Sequence, residues 1–223
     1  MFCVIHSSTL KHAAALGLDV YLQAPMKVRA LLGKHRHTVK HIPSIPYKDA
    51  PAFYRMPCTH DVVSCLALRF LMLTVAHTSE VRLAHHNEIQ DDVWILPAER
   101  TKNASEHRIP LVPEAIRVTN LAKKNNSQEL LFQTPRGNPL SDAAMAAFMR
   151  REGYQARPHG FRATFRTWVE EMTDTPYEVK EAALRHKVDT GIVGAYQRSD
   201  RLEKRRELMT AWQSYLLGQA NAQ

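Results

Sequence analysis

From Arg157 to Tyr196 the chain reads RPHGFRATFRTWVEEMTDTPYEVKEAALRHKVDTGIVGAY, and no other stretch limits its folding choices as strongly. Pro158 pre-sets the backbone for a first helical turn, after which Phe161, Phe165 and Trp168 recur at helical spacing. That spacing predicts a helix with His159 and Arg162, three residues apart, on one face. Thr175-Pro-Tyr-Glu178 reads as a capping box with proline in the first helical position. The helix it opens, YEVKEAALRH, should end at His186, where carbonyl dipoles favour a protonated ring. Ten residues further on, Tyr196 sits in a short apolar run with no acidic neighbour. A His, an Arg, a second His and a Tyr amount to an anion site with a nucleophile. Phosphate suits such a site: arginine offers a planar fork of donors, histidine donates a hydrogen bond or a proton, and a phenol oxygen can attack phosphorus.

The order H-G-F-R, L-R-H, A-Y resembles the second catalytic box of the tyrosine recombinases, the phage integrase family, whose pattern is H-x-x-R, L-G-H and a nucleophilic Tyr. Upstream, LTVAHTSEV resembles the family's first box, L-T-x-x-R-x-x-E, with His77 where the catalytic arginine belongs and Glu80 in place. Arg82 follows five residues later and would leave a helix at a different angle, so it cannot simply stand in. PAERTKNASEHRIPL is similar to a hairpin of the prophage-type integrases and puts Lys102 at the catalytic lysine. The resemblance covers roughly residues 40 to 217 and implies a mostly α fold with a small antiparallel β-sheet. One more departure is Arg185, a bulky cation where the L-G-H pattern exploits glycine. Either the turn is ordinary and Arg185 reaches a phosphate, or His186 is displaced.

Composition agrees with a DNA partner. The 223 residues are 44% hydrophobic and 23% charged, as in an ordinary soluble globular protein, and long enough to bury a sizeable core. A net charge of +8 and a pI near 9.5 favour an anionic partner, of which nucleic acid is the commonest. Three cysteines, Cys3, Cys58 and Cys65, have no metal spacing and leave one over from any pairing, which suits a reducing cytoplasm. The run Val62 to Ala76, broken by Ser64 and Arg69, is too short to span a bilayer and reads as a buried helix capped by Asp61. No signal peptide follows Met1, so a cytoplasmic protein with no membrane partner is expected.

In chain order, residues 7 to 20 suggest a helix ending near Gly17, and 1–33 would be the remnant of an N-terminal DNA-gripping domain. Residues 34–51 read as a basic linker: Lys34, Arg36, Lys40 and Lys48 face only Asp49, and three prolines oppose a regular element. Tracking a phosphate backbone and serving as a solvated tether are both open to it. His35, His37 and His41 lack the Cys or carboxylate partners of a metal site. Val93 to Leu96 and Arg108 to Leu111 predict a hairpin on a small sheet. Ser141 should open a helix closed by Gly153, and Arg150, Arg151 and Arg157 bunch as a candidate DNA-facing cluster. Ser199 or Asp200 should cap a last amphipathic helix with Leu202, Leu208, Met209, Trp212, Tyr215 and Leu216 on one stripe, stopping at Gly218. That stripe could pack on its own core or on a neighbouring subunit; the resemblance, which implies tetramers on double-stranded DNA, favours the second. Residues 52–217 form the expected catalytic domain and 218–223 a tail.

The resemblance implies a site-specific DNA recombinase that cuts and rejoins through a 3′-phosphotyrosyl intermediate on Tyr196, with no metal or cofactor. Arg162 and His159 would hold the non-bridging oxygens, His186 would assist, and Lys102 would act as general acid. His77 offers one directed donor in place of a guanidinium fork, so a slowed enzyme is expected. A phosphate nearby would favour its imidazolium form and recover part of the loss. The alternative is an inactive DNA-binding remnant or regulator. Type IB topoisomerase chemistry is a third possibility, opposed by the prophage-like hairpin and the basic C-terminal helix.

Overall fold

The structure, a computed structural model, describes residues 2–32, 42–60, 62–101, 104–125, 129–186 and 200–219. Its chain divides into two compact units, Met1–His41 and Ile42–Gln223. In the first, α1 (Phe2–Ala15) packs on α2 (Ala24–Leu32), and Gly17 closes α1 with φ +80°. Sequence patterning missed α2. Pro25 looks like a breaker there but falls in the first turn, where a missing N–H costs nothing.

The second unit is mostly helical with one small sheet, the class expected. At its centre lies α4 (Val63–Thr74), with ten of its twelve residues buried, so it is a core helix rather than an amphipathic one. It packs on α6 (Pro113–Asn125), α7 (Ala144–Arg151) and α10 (Leu202–Leu216). Val62 is its N-cap, without a side-chain bond; the expected cap, Asp61, lies outside the described residues.

A charge buried inside such a helix must be paired. Arg69 is, by Glu114 at 2.9 Å, which also receives Tyr54 Oη at 3.0 Å and Arg117 Nε at 2.6 Å. Gln213 Oε1 accepts the Glu114 backbone N–H at 2.7 Å, so this one residue joins α4, α6, α10 and α3 (Ala50–Arg55). Burial raises the Glu114 pKa, but its hydrogen bonds from Arg117 and Arg69 outweigh that and leave it lowered.

The sheet runs β1 (Ile89–Gln90), β2 (Val93–Leu96), β3 (His107–Pro110), all antiparallel. Trp94 pairs with Ile89 on one side and Ile109 on the other, fully buried, its indole N–H donated to Glu88 at 2.9 Å. The hairpin was legible from sequence; β1, only two residues long, was not.

Several local expectations need correction. The second half of the supposed linker is packed: Ile45 and Ala50 are buried, and α3 begins at Ala50 because Pro51 falls in its first turn. Ser141 does not cap α7, which starts at Ala144 with Ala143 as its uncapped N-cap. Gly153 does close the turn after α7, with φ +83°. The helix α9 (Tyr177–Ala183) has Pro176, not Thr175, at its N-cap, without a side-chain bond, because the Thr175 hydroxyl is engaged by Thr173 at 2.8 Å. It also ends three residues before His186.

The stripe on α10 lies in this chain's own core. Leu202, Leu208, Met209, Trp212 and Leu216 are buried, and Trp212 stacks in a cluster with Phe165 and Trp168 of α8 (Phe161–Met172), centroids 5.4 and 4.9 Å away. Its indole N–H is donated to Met72 O at 2.8 Å. Asp200 serves the start of this helix, accepting from Leu202 N at 3.2 Å. Among the described residues no helix is long and apolar enough to cross a membrane.

Truncating Trp212 to alanine removes that cluster's centre and strands a carbonyl. A loss of about 3–5 kcal/mol is expected, readable as a lower urea midpoint.

Candidate active site

The start of α8 is set by a strap of chain from Pro43 to Ile45. Pro43 O accepts Arg157 N at 3.0 Å, and Ile45 O accepts the Thr164 hydroxyl at 2.5 Å. Gly160 leaves room for the strap: a Cβ there would strike the Pro43 carbonyl and come within 2.9 Å of Ser44 Cα. A short 3₁₀ turn, Pro158–Gly160, then presents His159, and the first turn of α8 presents Arg162.

Arg162 is 8% exposed and lies between two helix ends. Nη1 donates to Val75 O, just past α4, at 2.7 Å, and Nη2 donates to Leu184 O at the end of α9. Each terminal nitrogen keeps a second hydrogen. Burial lowers the Arg162 pKa, Glu80 opposes that and Arg185 adds to it, yet a guanidinium stays charged.

His186 Nε2 lies 3.4 Å from Arg162 Nη2 and accepts from it in the neutral ring, whereas a doubly protonated ring lets both serve one oxygen. Its other nitrogen, Nδ1, donates to Glu181 Oε2 at 2.8 Å, which fixes the ring. Glu181 is in turn paired with Arg166 at 2.5 Å.

His77 begins α5 (Thr78–Arg82), and its ring stacks on His159 with centroids 5.4 Å apart and 17° between planes. Glu80 accepts the His77 backbone N–H at 2.8 Å with one oxygen and Arg185 Nη1 at 2.7 Å with the other. Burial, then the Arg162 charge, pushes the His77 pKa down to about 4, against a partial pull upward from Glu80. His159 is lowered by the same two causes. Both rings are therefore neutral at pH 7.

So four expected residues, His77, His159, Arg162 and His186, converge. Lys102 and Tyr196 lie outside the described residues, as do Lys34, Arg36 and Lys40 of the basic linker and His35, His37 and His41. The chain on both sides of the Tyr196 segment lines one cavity of about 280 Å³, through His186 and Asp200. At the hairpin, Arg100 donates to Glu80 O at 2.6 Å and Thr101 Oγ1 accepts Ser105 N at 3.1 Å, so both described flanks of Lys102 are fixed. Arg82 is turned away, bonded to Leu140 O and Asp142. Arg150, Arg151 and Arg157 are exposed.

Sequence reading missed two members of this neighbourhood, Glu181 and His107. Glu181 orients His186. His107, at the start of β3, lines the same cavity with its pKa lowered to about 3, by burial first and Arg205 second. Arg185, which the sequence singles out, is paired with Glu80. Among the described residues no group of three His, Cys, Asp or Glu is placed to hold a metal ion.

Depressed histidine pKa values have a definite consequence for stability. Below the ordinary value of 6.5 the unfolded chain binds protons that folded His77 and His107 refuse, down to about 4 and 3. Their contribution is complete above that ordinary value and is lost as pH falls through this window. The urea midpoint should drop from pH 7 to pH 5, less steeply in His77→Asn, and the His77 ring signals should titrate well below those of an exposed histidine.

Comparison with known proteins places this arrangement. Residues 44–202 match the phage integrase family. The chain is 31% identical over 188 residues to prophage integrase IntZ of Escherichia coli K12, covering 79% of this chain and 46% of that protein. Prophage integrase IntS of the same strain is 24% identical over 216 residues, 92% of this chain and 55% of its own length. The integrase of Shigella phage Sf6 gives the same identity and coverage. The chain thus spans about half the length of the curated relatives it matches. The fold is that of solved lambda integrase structures. A tetramer bound to a Holliday junction has a TM-score of 0.60 at 16% identity, over 89% of this chain and 58% of that one. A dimer of lambda integrase(75-356) bound to a COC′ core site also scores 0.60, at 18% identity, over 89% and 72%. With more than half its length inside the family match, the chain belongs to the phage integrase family.

Proposed function

We propose that the chain is the strand-cutting and strand-joining part of a site-specific DNA recombinase. The observation that carries this reading is the convergence of Arg162, His159, His186 and His77 on one point, with Arg162 keeping unspent donors. In the proposed reaction the Tyr196 oxygen attacks a phosphodiester, forming a 3′-phosphotyrosyl bond as the bond to the 5′ oxygen breaks. Lys102 gives that leaving oxygen its proton, and the proton of the phenol passes to a neighbouring base. Arg162 neutralises charge growing on the non-bridging oxygens, His159 donates a hydrogen bond to them, and His186, held by Glu181, assists. The reverse attack by a 5′ hydroxyl reseals a strand without an external energy source. No metal or cofactor is called for by this donor set.

Double-stranded DNA is the proposed partner. Exposed Arg150, Arg151 and Arg157, with Lys34, Arg36 and Lys40 of the basic linker, would meet its phosphates. We assign 52–217 to the catalytic domain, 1–33 to part of a DNA-gripping region and 218–223 to a tail, and within 34–51 we keep as linker only the part before the packed Ile45. Work on intracellular DNA implies a cytoplasmic protein, assembled as a tetramer on its substrate. Because the α10 stripe is buried in its own core, contacts between copies must come from other surfaces.

A second reading, a DNA binder without turnover, is favoured by one observation: His77 is neutral where the family pattern has a permanent cation. Covalent capture separates the two. Incubated with a randomised duplex pool carrying nicks, the protein should yield detergent-stable protein–DNA adducts at neutral pH, and Tyr196→Phe should yield none. Adducts that persist in Tyr196→Phe, or none from the wild type, would sink the recombinase reading. His77→Arg should raise the adduct rate on the captured sequence by up to a factor on the order of 100.

A further inference from the structure

The turn after α9 is closed by a Schellman motif: Arg185 N donates to Ala182 O at 3.1 Å and His186 N to Glu181 O at 2.9 Å. The residue in the left-handed position is Arg185, with φ 55°. The same closure ends α1, α7 and α10, and there Gly17, Gly153 and Gly218 occupy that position. A side chain crowds the following carbonyl in this conformation, so the arginine is unexpected on backbone grounds.

What it gains is a place in the site. Nη1 is held by Glu80, a buried carboxylate whose other oxygen is taken by the His77 N–H. Nη2 of the same guanidinium is buried without a hydrogen-bond partner among the described residues. Arg185 lines the 280 Å³ cavity beside His186, whose Nε2 faces Arg162 Nη2.

The charges balance in a telling way. A first-box arginine with glycine before His186 would give the site two guanidiniums and one carboxylate. Neutral His77 with Arg185 gives the same total, the cation having moved from α5 to the end of α9. Glu181 does not disturb this, since Arg166 offsets it. Arg82, the other cation nearby in sequence, is committed to Leu140 and Asp142.

We propose that Arg185 is the second guanidinium of the phosphate site: Glu80 fixes Nη1, and Nη2 donates to an oxygen of the phosphodiester that Arg162 and His186 also address. This inference rests on the strand-cutting reading above. It assigns a substrate contact to a residue at a position where the family pattern has no side chain.

Arg185→Gly is a clean test because it relieves the backbone strain. The variant should melt within a few degrees of the wild type, yet form adduct on the captured DNA more slowly by a factor on the order of 100, with Arg185→Lys between them. In a His77→Arg background the same change should cost less than about fivefold, since the cation is restored at its other position. Equal losses in both backgrounds would make Arg185 a structural anchor, and no loss in the wild-type background would remove it from the site; either overturns the proposal. Titration of the DNA-free protein with inorganic phosphate gives an independent reading. Arg185→Gly should weaken binding by about tenfold, the worth of one charged hydrogen bond. If no variant forms an adduct, the recombinase reading falls while this titration still decides: weaker phosphate binding in Arg185→Gly supports the assignment, and unchanged binding overturns it.

Discussion

One guanidinium holds the site together. Arg162 reaches from the first turn of α8 to the spent ends of two other helices, taking Val75 O beyond α4 and Leu184 O at the close of α9. Those carbonyls carry the partial negative charge of helix C-termini, so they solvate a buried cation that water cannot reach. The core helix, the helix bearing His159 and the turn bearing His186 are thereby fixed to one planar group. Val75 adopts φ 48° to aim its carbonyl there, an uncomfortable backbone for a β-branched residue and one that persists only because its surroundings demand it.

That arrangement dictates the electrostatics around it. Burial first, and nearby arginines second, hold the half-buried histidines below their ordinary value, as at His77, His107 and His159. Around His77 and His186 permanent positive charge is then carried by Arg162 and Arg185, and Glu80 keeps their mutual repulsion tolerable. The histidines are left as directed hydrogen-bond donors and acceptors, a role that depends on geometry more than on pH near neutrality.

Legibility in the sequence followed the range of the forces involved. Apolar periodicity is local, so α8 with its Phe161, Phe165 and Trp168 ladder, the buried α4 and the β2–β3 hairpin could all be read directly. The approach of His159 to Arg162 follows from that same helix, and their meeting with His77 and His186 came through resemblance to a family pattern. Elements too short to show a period, β1 above all, gave no signal, and Pro25 and Pro51 looked like breakers although each sits in a first helical turn. Glycine at that place in the family pattern hinted at the left-handed turn of Arg185, but its pairing with Glu80, 105 residues away in sequence, is a tertiary fact with no local trace. Likewise the α10 stripe reads the same whether it meets its own core or another surface; only Trp212 against Phe165 and Trp168 decides it.

The strap from Pro43 to Ile45 is also the covalent route by which everything before residue 42 joins the larger unit. Its carbonyls hold Arg157 and Thr164, and it lies against Gly160, the residue next to His159. A force that reaches Pro43 is therefore delivered to the seat of a histidine: the strap cannot shift without disturbing the turn that presents it.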